Sequence, residues 1–170
     1  MNTGGSSDRA AVRRAGRADT RVFIDIHHRS VRELASRYYA SDVIDAWAPP
    51  VSEDDLCDLE RNDDGEIRLI AELDGAAVGI GALVVADSEL RACYVLPEVA
   101  RQGVGTTIVR EIERIAIAEG LTELTLQASV NAESFYSALG YQVVERGEHI
   151  LRGGQRMAAV KMVRRLTQKP

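Results

Sequence analysis

The spacing of apolar residues predicts a chain that begins with helices, continues with strands and ends with an alternation of both. Strand-like runs occupy residues 11–14, 66–73, 76–86 and 88–95. Helical spacing predicts helices that begin at Asp19 or Thr20, at Ser41 and at Ser52. Asp74-Gly75 is a strong two-residue hairpin signal. The strands on either side of it are therefore expected to pair antiparallel.

The second half of the chain alternates strands and helices. Val104, Ile108, Ile112 and Ile115 lie on one face of a helix over residues 104–119, which Gly120 ends. Further segments are expected at 123–127 (strand), 131–139 (helix), 141–151 (strand) and 155–166 (strand). A strand–helix–strand passage across 88–127 predicts two parallel neighbours joined by a right-handed crossover. The fold class is thus α/β, a mixed and mostly antiparallel sheet of about seven strands with helices on both faces.

Composition and charge limit the function classes. A chain of 170 residues fits one domain, expected over residues 9–166 after a disordered polar tail at 1–8. A net charge of -5 argues against general binding to nucleic acid or to an anionic membrane. Cys57 and Cys93 form neither a disulfide framework nor a metal site. No apolar run is long enough to span a membrane, and the expected location is the cytoplasm.

The most informative segment is a glycine-bearing turn between a strand and the long helix, Arg101-Gln102-Gly103-Val104-Gly105-Thr106. Such a turn points free backbone N–H groups at one spot, where the helix dipole adds partial positive charge. A phosphate or pyrophosphate fits there. A dinucleotide fingerprint would need a third glycine, but position 108 is Ile, and the next strand ends in Gln127 rather than a carboxylate. No Lys-Ser/Thr follows the second glycine, so a kinase-type P-loop is also excluded.

Two segments resemble the GNAT superfamily of acyl-CoA-dependent N-acyltransferases. Residues 100–105 match its (Gln/Arg)-x-x-Gly-x-(Gly/Ala) signature at both glycines, although Ala100 stands in the first position. Residues 131–141, from Asn131 through Phe135-Tyr136 to Gly140-Tyr141, resemble a second segment of the family. The resemblance covers residues 10–166 and implies acetyl-CoA as cosubstrate, with no metal.

The resemblance implies a binding site for acetyl-CoA in a V-shaped opening between the two central parallel strands. A bulge in the first of these strands would free the backbone of Cys93, Tyr94 and Val95 to pair with the pantetheine amides. The pyrophosphate would contact the N–H groups of Arg101, Gln102, Gly103, Val104, Gly105 and Thr106. Asn131 is expected to be the N-cap of its helix and a cofactor contact as well.

Tyr136 is the expected general acid. Attack of an amine on the thioester expels a thiolate, which a nearby phenol can protonate or stabilise. Adjacent helical side chains point about 100° apart, so Tyr136 is expected to face the cleft while Phe135 packs in the core.

Glu89 is the expected general base, because in the histone-acetylating branch of the superfamily a glutamate at this spacing before the bulge has that role. Strand alternation places Glu89, Arg91 and Cys93 on one face. The alternative is a solvated Glu89 that follows a turn. Glu72, Tyr94 and His149 are weaker candidates.

Acceptor recognition is expected from the first two helices and the last strand pair, the region of Arg29, Arg32, Tyr38, Tyr39 and Trp47. Basic and aromatic groups there would suit an acceptor that carries a carboxylate as well as an amine, unless they are core or solvated. The predicted function is an N-acetyltransferase acting on a primary amine of a small molecule, a peptide or a protein. The alternative is a non-catalytic acyl-CoA-binding regulatory module. Either a monomer or a homodimer is compatible with the sequence.

Overall fold

A computed structural model describes residues 10–167, and its centre is one seven-stranded sheet. The strands are β1 (Ala11–Arg14), β2 (Ile67–Leu73), β3 (Ala76–Val84), β4 (Glu89–Val95), β5 (Glu123–Ser129), β6 (Gln142–Ile150) and β7 (Arg156–Arg165). Their order across the sheet is β1-β2-β3-β4-β5-β7-β6, and only β4 and β5 pair in parallel. The predicted fold class is confirmed. The tail predicted at residues 1–8 lies outside the described residues.

In the part of the chain that the structure describes, five α-helices accompany the sheet: α1 (Thr20–Ser30), α2 (Ser41–Trp47), α3 (Glu53–Arg61), α4 (Val104–Ala118) and α5 (Glu133–Ala138). A π-helical turn over Val31–Ala35 extends α1. At the start of α3, the Ser52 hydroxyl accepts the Asp55 N–H at 3.2 Å while the Asp55 carboxylate accepts the Ser52 N–H at 3.0 Å. This reciprocal cap is why the helix begins there. Among residues 10–167, no helix combines the length and apolarity needed to cross a membrane.

The sheet is covered on both faces, which explains the continuous apolar sequence of β3. On one face, Ile108 and Ile112 of α4 pack in the main core cluster. Gly81 of β3 makes room for them, since a Cβ there would lie 2.5 Å from the Cγ2 of Ile108. On the other face, Phe23 and Ile26 of α1 pack against a second buried cluster. The two layers hold the central strands from both sides.

A buried ion pair anchors α5, the helix that carries Tyr136. Glu113 of α4 is 7% exposed and accepts hydrogen bonds from Arg164 of β7 and from Arg110, each at 2.8 Å. Arg164 also donates to the carbonyl oxygen of Leu139, directly after α5. Because both Glu113 oxygens have partners, its burial is compensated. The end of α5 is thereby tied to α4 and β7.

The two parallel strands diverge after their first residues. Glu89 and Thr125 form the one residue pair in register between β4 and β5, next to a 2.9 Å bond from the Thr125 N–H to the Ser88 carbonyl. Toward their C-terminal ends the strands leave a gap in the middle of the sheet. Its sides carry backbone groups that an ordinary central strand would use for pairing.

A bulge in β4 reverses part of the predicted side-chain pattern. Ala82 pairs with Ala92 and Leu83 with Leu90, so Arg91 is an extra residue in β4. Leu90 and Cys93 consequently pack in the α4-side cluster, while Ala92 and Tyr94 pack on the α1 side. Glu89, the neighbour of Leu90, therefore points to the face opposite Cys93. The prediction that Glu89 and Cys93 share a face is wrong, because simple alternation does not allow for the extra residue.

Candidate active site

The turn before α4 has the backbone geometry of an anion-binding site. Arg101 and Gly103 have left-handed φ values of 65° and 86°. The Gln102 N–H bonds to the Val99 carbonyl at 3.3 Å, whereas the N–H groups of residues 104–106 find no backbone acceptor within residues 10–167. These donors point out of the N-terminal end of a 15-residue helix, where the dipole favours negative charge.

A cavity of about 420 Å³ opens between this turn, the end of α1 and the start of α5. Eight residues predicted to bind the cofactor line it: Cys93, Tyr94, Val95, Arg101, Gly103, Gly105, Thr106 and Asn131. The other two predicted residues do not line it. The Gln102 side chain donates to the Glu98 carbonyl at 2.9 Å, and the Val104 side chain is 3% exposed in the core. For these two, any contact with a ligand is left to the main chain.

Phe135 was predicted to pack in the core, but its side chain also lines this cavity. It is half-buried and packs against the main core cluster with one part of its ring. Gly105 allows this position, because a Cβ there would lie 3.1 Å from the Phe135 Cζ. The second glycine of the motif therefore makes room for an aromatic wall of the cavity.

Asn131 is not the N-cap that was predicted. The helix begins at Glu133, and Ala132 occupies the cap position without a side-chain bond. The Asn131 Oδ1 is buried and has no hydrogen-bond partner within the described residues. A buried acceptor without a donor is costly. Because Asn131 lines the cavity, an N–H group of a ligand would satisfy that oxygen.

A second cavity, of about 450 Å³, adjoins the first at the gap between β4 and β5. Both cavities are lined by Trp47, Cys93, Tyr94, Ser129 and Ala132. Tyr136 and Glu89, the two predicted catalytic residues, line the second cavity. The other side chains that define it are Asp64, Leu90, Arg91, Gln127, Ala128, His149, Leu151, Met157 and Ala159.

Tyr136 lies at the inner end of the second cavity. Its side chain is 6% exposed, and its ring packs edge-on against Phe135 and Tyr141 at centroid distances of 5.0 and 5.7 Å. Burial raises the pKa of Tyr136 well above its usual value of 10.0. The hydroxyl is therefore a neutral donor at physiological pH, as a general acid requires.

Two further protonated groups lie at the shared wall. Burial raises the pKa of the Cys93 thiol to about 12, and its sulfur is 3.7 Å from the Gly105 carbonyl oxygen. Burial also raises the pKa of Tyr94 to about 12. Cys93 and Tyr94 are thus neutral groups on the wall that the two cavities share, and Cys93 is not a thiolate.

Glu89 takes part in an ion-pair network centred on Arg91. Its Oε2 accepts hydrogen bonds from Arg91 Nε at 3.0 Å and from Nη2 at 2.9 Å. Arg91 also contacts Asp64 at 2.6 Å and, more loosely, Glu66 and Asp87 at 3.5 Å. The Glu89 side chain is 26% exposed, and its Oε1 has no hydrogen-bond partner within the described residues. One oxygen is thus left to accept a proton.

The helices above the gap supply an aromatic wall. The Tyr39 hydroxyl donates to the Ala158 carbonyl and accepts the Val130 N–H, both at 2.7 Å. Trp47 packs edge-on against Tyr39 and Tyr94. His27 lies edge-on to Tyr94 at 4.7 Å, and burial lowers the pKa of His27 to about 4. These contacts fix the helical segment over both halves of the divided sheet.

The arginines expected to bind an acceptor carboxylate already have acidic partners. Arg29 pairs with Glu33 and Glu98, and Arg32 pairs with Asp45 and donates to the Ala48 carbonyl. Neither arginine lines the second cavity. Tyr38 is 59% exposed and lies in an outer groove beside the first cavity. Of the five residues predicted to contact the acceptor, Trp47 alone lines the second cavity.

Sequence reasoning missed Ser129, Ala132 and Asp64 as lining residues. Ser129 ends β5, directly across the gap from β4, so the predicted parallel pair contained a signal for it. Asp64 precedes β2 in a loop, and its contact with Arg91 spans 27 residues. No local pattern in the sequence predicts such a contact.

The fold and the two joined cavities define a class of acyl-transferring enzyme, and comparison identifies the family. Residues 28–141 match the model of the acetyltransferase (GNAT) family. The chain belongs to this family, and it is an acyltransferase. The resemblance predicted from the two motifs is confirmed.

Solved structures of this fold come from several organisms. A protein of Rhodopseudomonas palustris, described as a GCN5-related N-acetyltransferase and class-II aminotransferase, is 30% identical over 97% of this chain and 100% of its own, with a TM-score of 0.85. The PaiA N-acetyltransferase of Thermoplasma acidophilum, solved with coenzyme A, is 21% identical (92% and 98% covered, TM-score 0.72). A phosphinothricin acetyltransferase of Sinorhizobium meliloti, solved with acetyl-CoA, is 20% identical (93% and 89% covered, TM-score 0.70).

Proposed function

We propose that this chain transfers the acetyl group of acetyl-CoA directly to a primary amine of a small molecule or peptide. The main support is the meeting of two cavities at the gap between β4 and β5, one beside an anion-binding turn and the other beside Tyr136 and Glu89. An enzyme that joins two substrates needs such an arrangement, because their reacting atoms must come within bonding reach.

Acetyl-CoA fits the cavity beside α4. The N–H groups of residues 104–106 suit the pyrophosphate. The buried Oδ1 of Asn131 needs a donor such as a pantetheine amide, and the unpaired edge of β4 from Cys93 to Val95 can pair with that chain as an added strand would. The complexes of the Thermoplasma and Sinorhizobium proteins with coenzyme A and acetyl-CoA support the same choice.

The reaction we propose has three proton transfers around one nucleophilic attack. Glu89 takes a proton from the ammonium form of the acceptor, directly or through water, which frees the nitrogen lone pair. The nitrogen attacks the thioester carbonyl carbon, and the tetrahedral intermediate collapses with cleavage of the carbon–sulfur bond. Tyr136 donates its proton to the departing thiolate, and the amide nitrogen gives its second proton, directly or through water, to the Tyr136 phenolate, which restores the phenol. Direct transfer is supported by Cys93, whose neutral thiol is a poor nucleophile.

The test is release of free thiol when the protein is mixed with acetyl-CoA and a panel of primary amines. We expect thiol and acetylated amine to appear in equal amounts. Acetyl-CoA binding without turnover across a wide panel would favour the alternative, a regulatory acyl-CoA-binding module.

The proposal includes a single domain over residues 9–166 and a cytoplasmic location. One continuous order of seven strands supports the first. Free thiols at Cys57 and Cys93 are compatible with a reducing compartment and support the second. Oligomeric state, monomer or homodimer, stays a prediction.

A further inference from the structure

We infer that the acceptor is an amine with a second positive charge, of the diamine or polyamine class, bound with its distal ammonium at Asp64. The inference rests on the proposed function, since it takes the second cavity as the acceptor site. It names the chemistry of the acceptor from the side chains that line this cavity.

The cavity runs from an exposed carboxylate to a buried phenol. The Asp64 side chain is 70% exposed, the Glu89 side chain is 26% exposed, and Tyr136 is 6% exposed. Asp64 therefore marks the mouth and Tyr136 the inner end. The lining of the cavity also includes Leu151 and Met157, whose apolar side chains suit a chain of methylene groups.

The charge of the mouth is negative. Arg91 is the one Arg or Lys side chain among the described residues that line this cavity, and it contacts four carboxylates: Asp64, Glu66, Asp87 and Glu89. One other guanidinium, Arg68, joins the network through Glu66. The network therefore has two more carboxylates than guanidinium groups.

Each carboxylate in the cavity has one oxygen left for an ammonium group. Arg91 contacts only Oδ2 of Asp64 and only Oε2 of Glu89, so Oδ1 and Oε1 have no hydrogen-bond partner within the described residues. Asp64 would hold the distal ammonium, and Glu89 is left for the reacting amine.

Among the described residues that line this cavity, the one Arg or Lys side chain is Arg91, and its four carboxylate contacts leave it no free charge for a carboxylate on the acceptor. Besides Arg29 and Arg32, the arginines of the last strand pair near the cavity are also paired, Arg152 with Asp55 and Arg156 with Glu148. An acidic acceptor would instead approach Asp64 and Glu89 with like charge, which weakens binding.

Three amines of equal chain length test the inference: 1,4-diaminobutane, butylamine and 4-aminobutyrate, whose far ends are positive, neutral and negative. We expect kcat/KM for thiol release to fall in that order, with the diamine at least about ten-fold above butylamine at low salt. The advantage should shrink as ionic strength rises. Equal use of the diamine and butylamine, or preference for 4-aminobutyrate, would overturn the inference alone.

A matched pair of variants tests the role of Asp64. Asp64→Asn should narrow the ratio of kcat/KM between diamine and butylamine about five-fold, mostly through KM. Asp63→Asn removes a neighbouring exposed charge that does not line the cavity, and should leave the ratio as it is. Equal effects of the two variants would contradict a specific contact.

A binding measurement separates this inference from the proposed function. Trp47 is the single tryptophan of the chain and lines both cavities, so its fluorescence should report binding of the diamine without turnover. We expect a saturable change with 1,4-diaminobutane that weakens in Asp64→Asn. Diamine binding without thiol release would contradict the proposed function while supporting the site, and no fluorescence change at millimolar diamine would contradict the site.

Discussion

The two sides of the gap are built differently. On the proposed cofactor side, the groups available for binding are mainly backbone atoms, namely the N–H groups of residues 104–106 and the free edge of β4. On the acceptor side they are side chains from separate segments: Asp64 from a loop, Glu89 from β4, Trp47 from α2 and Tyr136 from α5. Backbone groups remain when a residue is substituted, whereas a single substitution removes a side-chain group.

This difference suits one side of the gap to a common cosubstrate and the other side to a variable acceptor. A site made of N–H groups needs only the turn that Gly103 and Gly105 allow, so it suits a cosubstrate shared by a whole family. A site made of side chains changes its preference with single substitutions at positions such as Asp64. The acceptor side is therefore where members of one fold can diverge.

The largest expected effect comes from Tyr136 on the acceptor side. Tyr136→Phe removes the proposed general acid and should lower kcat by about 100-fold or more. The CoA dissociation constant, measured by calorimetry, should stay close to that of the unaltered protein. Tyr38→Phe, at an exposed tyrosine, is the control and should leave kcat as it is. An unchanged kcat in Tyr136→Phe would remove this residue from the mechanism.

Substitutions at Gly103 test the proposed phosphate site at the turn before α4. Gly103→Glu places a negative charge on the anion-binding turn and a side chain at a φ of 86°, and should weaken CoA binding roughly ten- to 100-fold. Gly103→Ala carries the backbone strain without the charge, and its Cβ meets no atom within 4 Å. It should therefore have a much smaller effect. Equal CoA affinity in Gly103→Glu, by calorimetry, would argue against a phosphate site here.

The buried ring of His27, which packs against Tyr94, gives a prediction about stability. Burial lowers the pKa of His27 from 6.5 to about 4 in the folded state, so folding opposes its protonation. The stabilisation from the neutral ring is complete above pH 6.5 and is lost as pH falls toward 4. Between pH 7 and pH 5 this residue should reduce the free energy of unfolding by about 2 kcal/mol.

The measurement is urea unfolding at both pH values. His27→Phe should flatten the pH dependence, whereas His149→Gln, at an exposed histidine, should preserve it. The same slope in the unaltered protein and in His27→Phe would show that another group is responsible.

The smallest effect is expected at Tyr39, which ties the helical segment to the β5 side. Tyr39→Phe removes a hydroxyl bonded to Val130 and Ala158, and should lower the free energy of unfolding by about 1 kcal/mol. Because Tyr39 also packs against Trp47, which lines both cavities, we expect KM for acetyl-CoA and for the amine to rise together. A rise in only one of them would show that the tie serves one side alone.

The sequence was sufficient for the order of elements, because each has a local signal. Asp74-Gly75 predicted the hairpin, the Ser52–Asp55 cap predicted the start of α3, and the spacing of isoleucines predicted α4. The parallel pair followed from the crossover rule.

The site was less predictable where long-range contacts decide it. The bulge at Arg91 depends on how β4 pairs with β3, and this one residue changes which face Glu89 occupies. One partner of Arg29 is Glu98, 69 residues away, and no local pattern in the sequence indicates that ion pair. Asn131 was predicted to be an N-cap from its position before the helix, but α5 begins at Glu133 and its cap position is Ala132.

The divergence of β4 and β5 also has a consequence for solvent exchange. Central strands ordinarily hold their amide hydrogens for the longest time, because both neighbours lock them. Beyond the pair Glu89–Thr125, β4 and β5 are not hydrogen-bonded to each other, so each resembles an edge strand. The amide hydrogens that face the gap should therefore exchange with deuterium before those of β3. Acetyl-CoA bound in the gap should slow this exchange, and mass spectrometry would then show which segments the ligand protects.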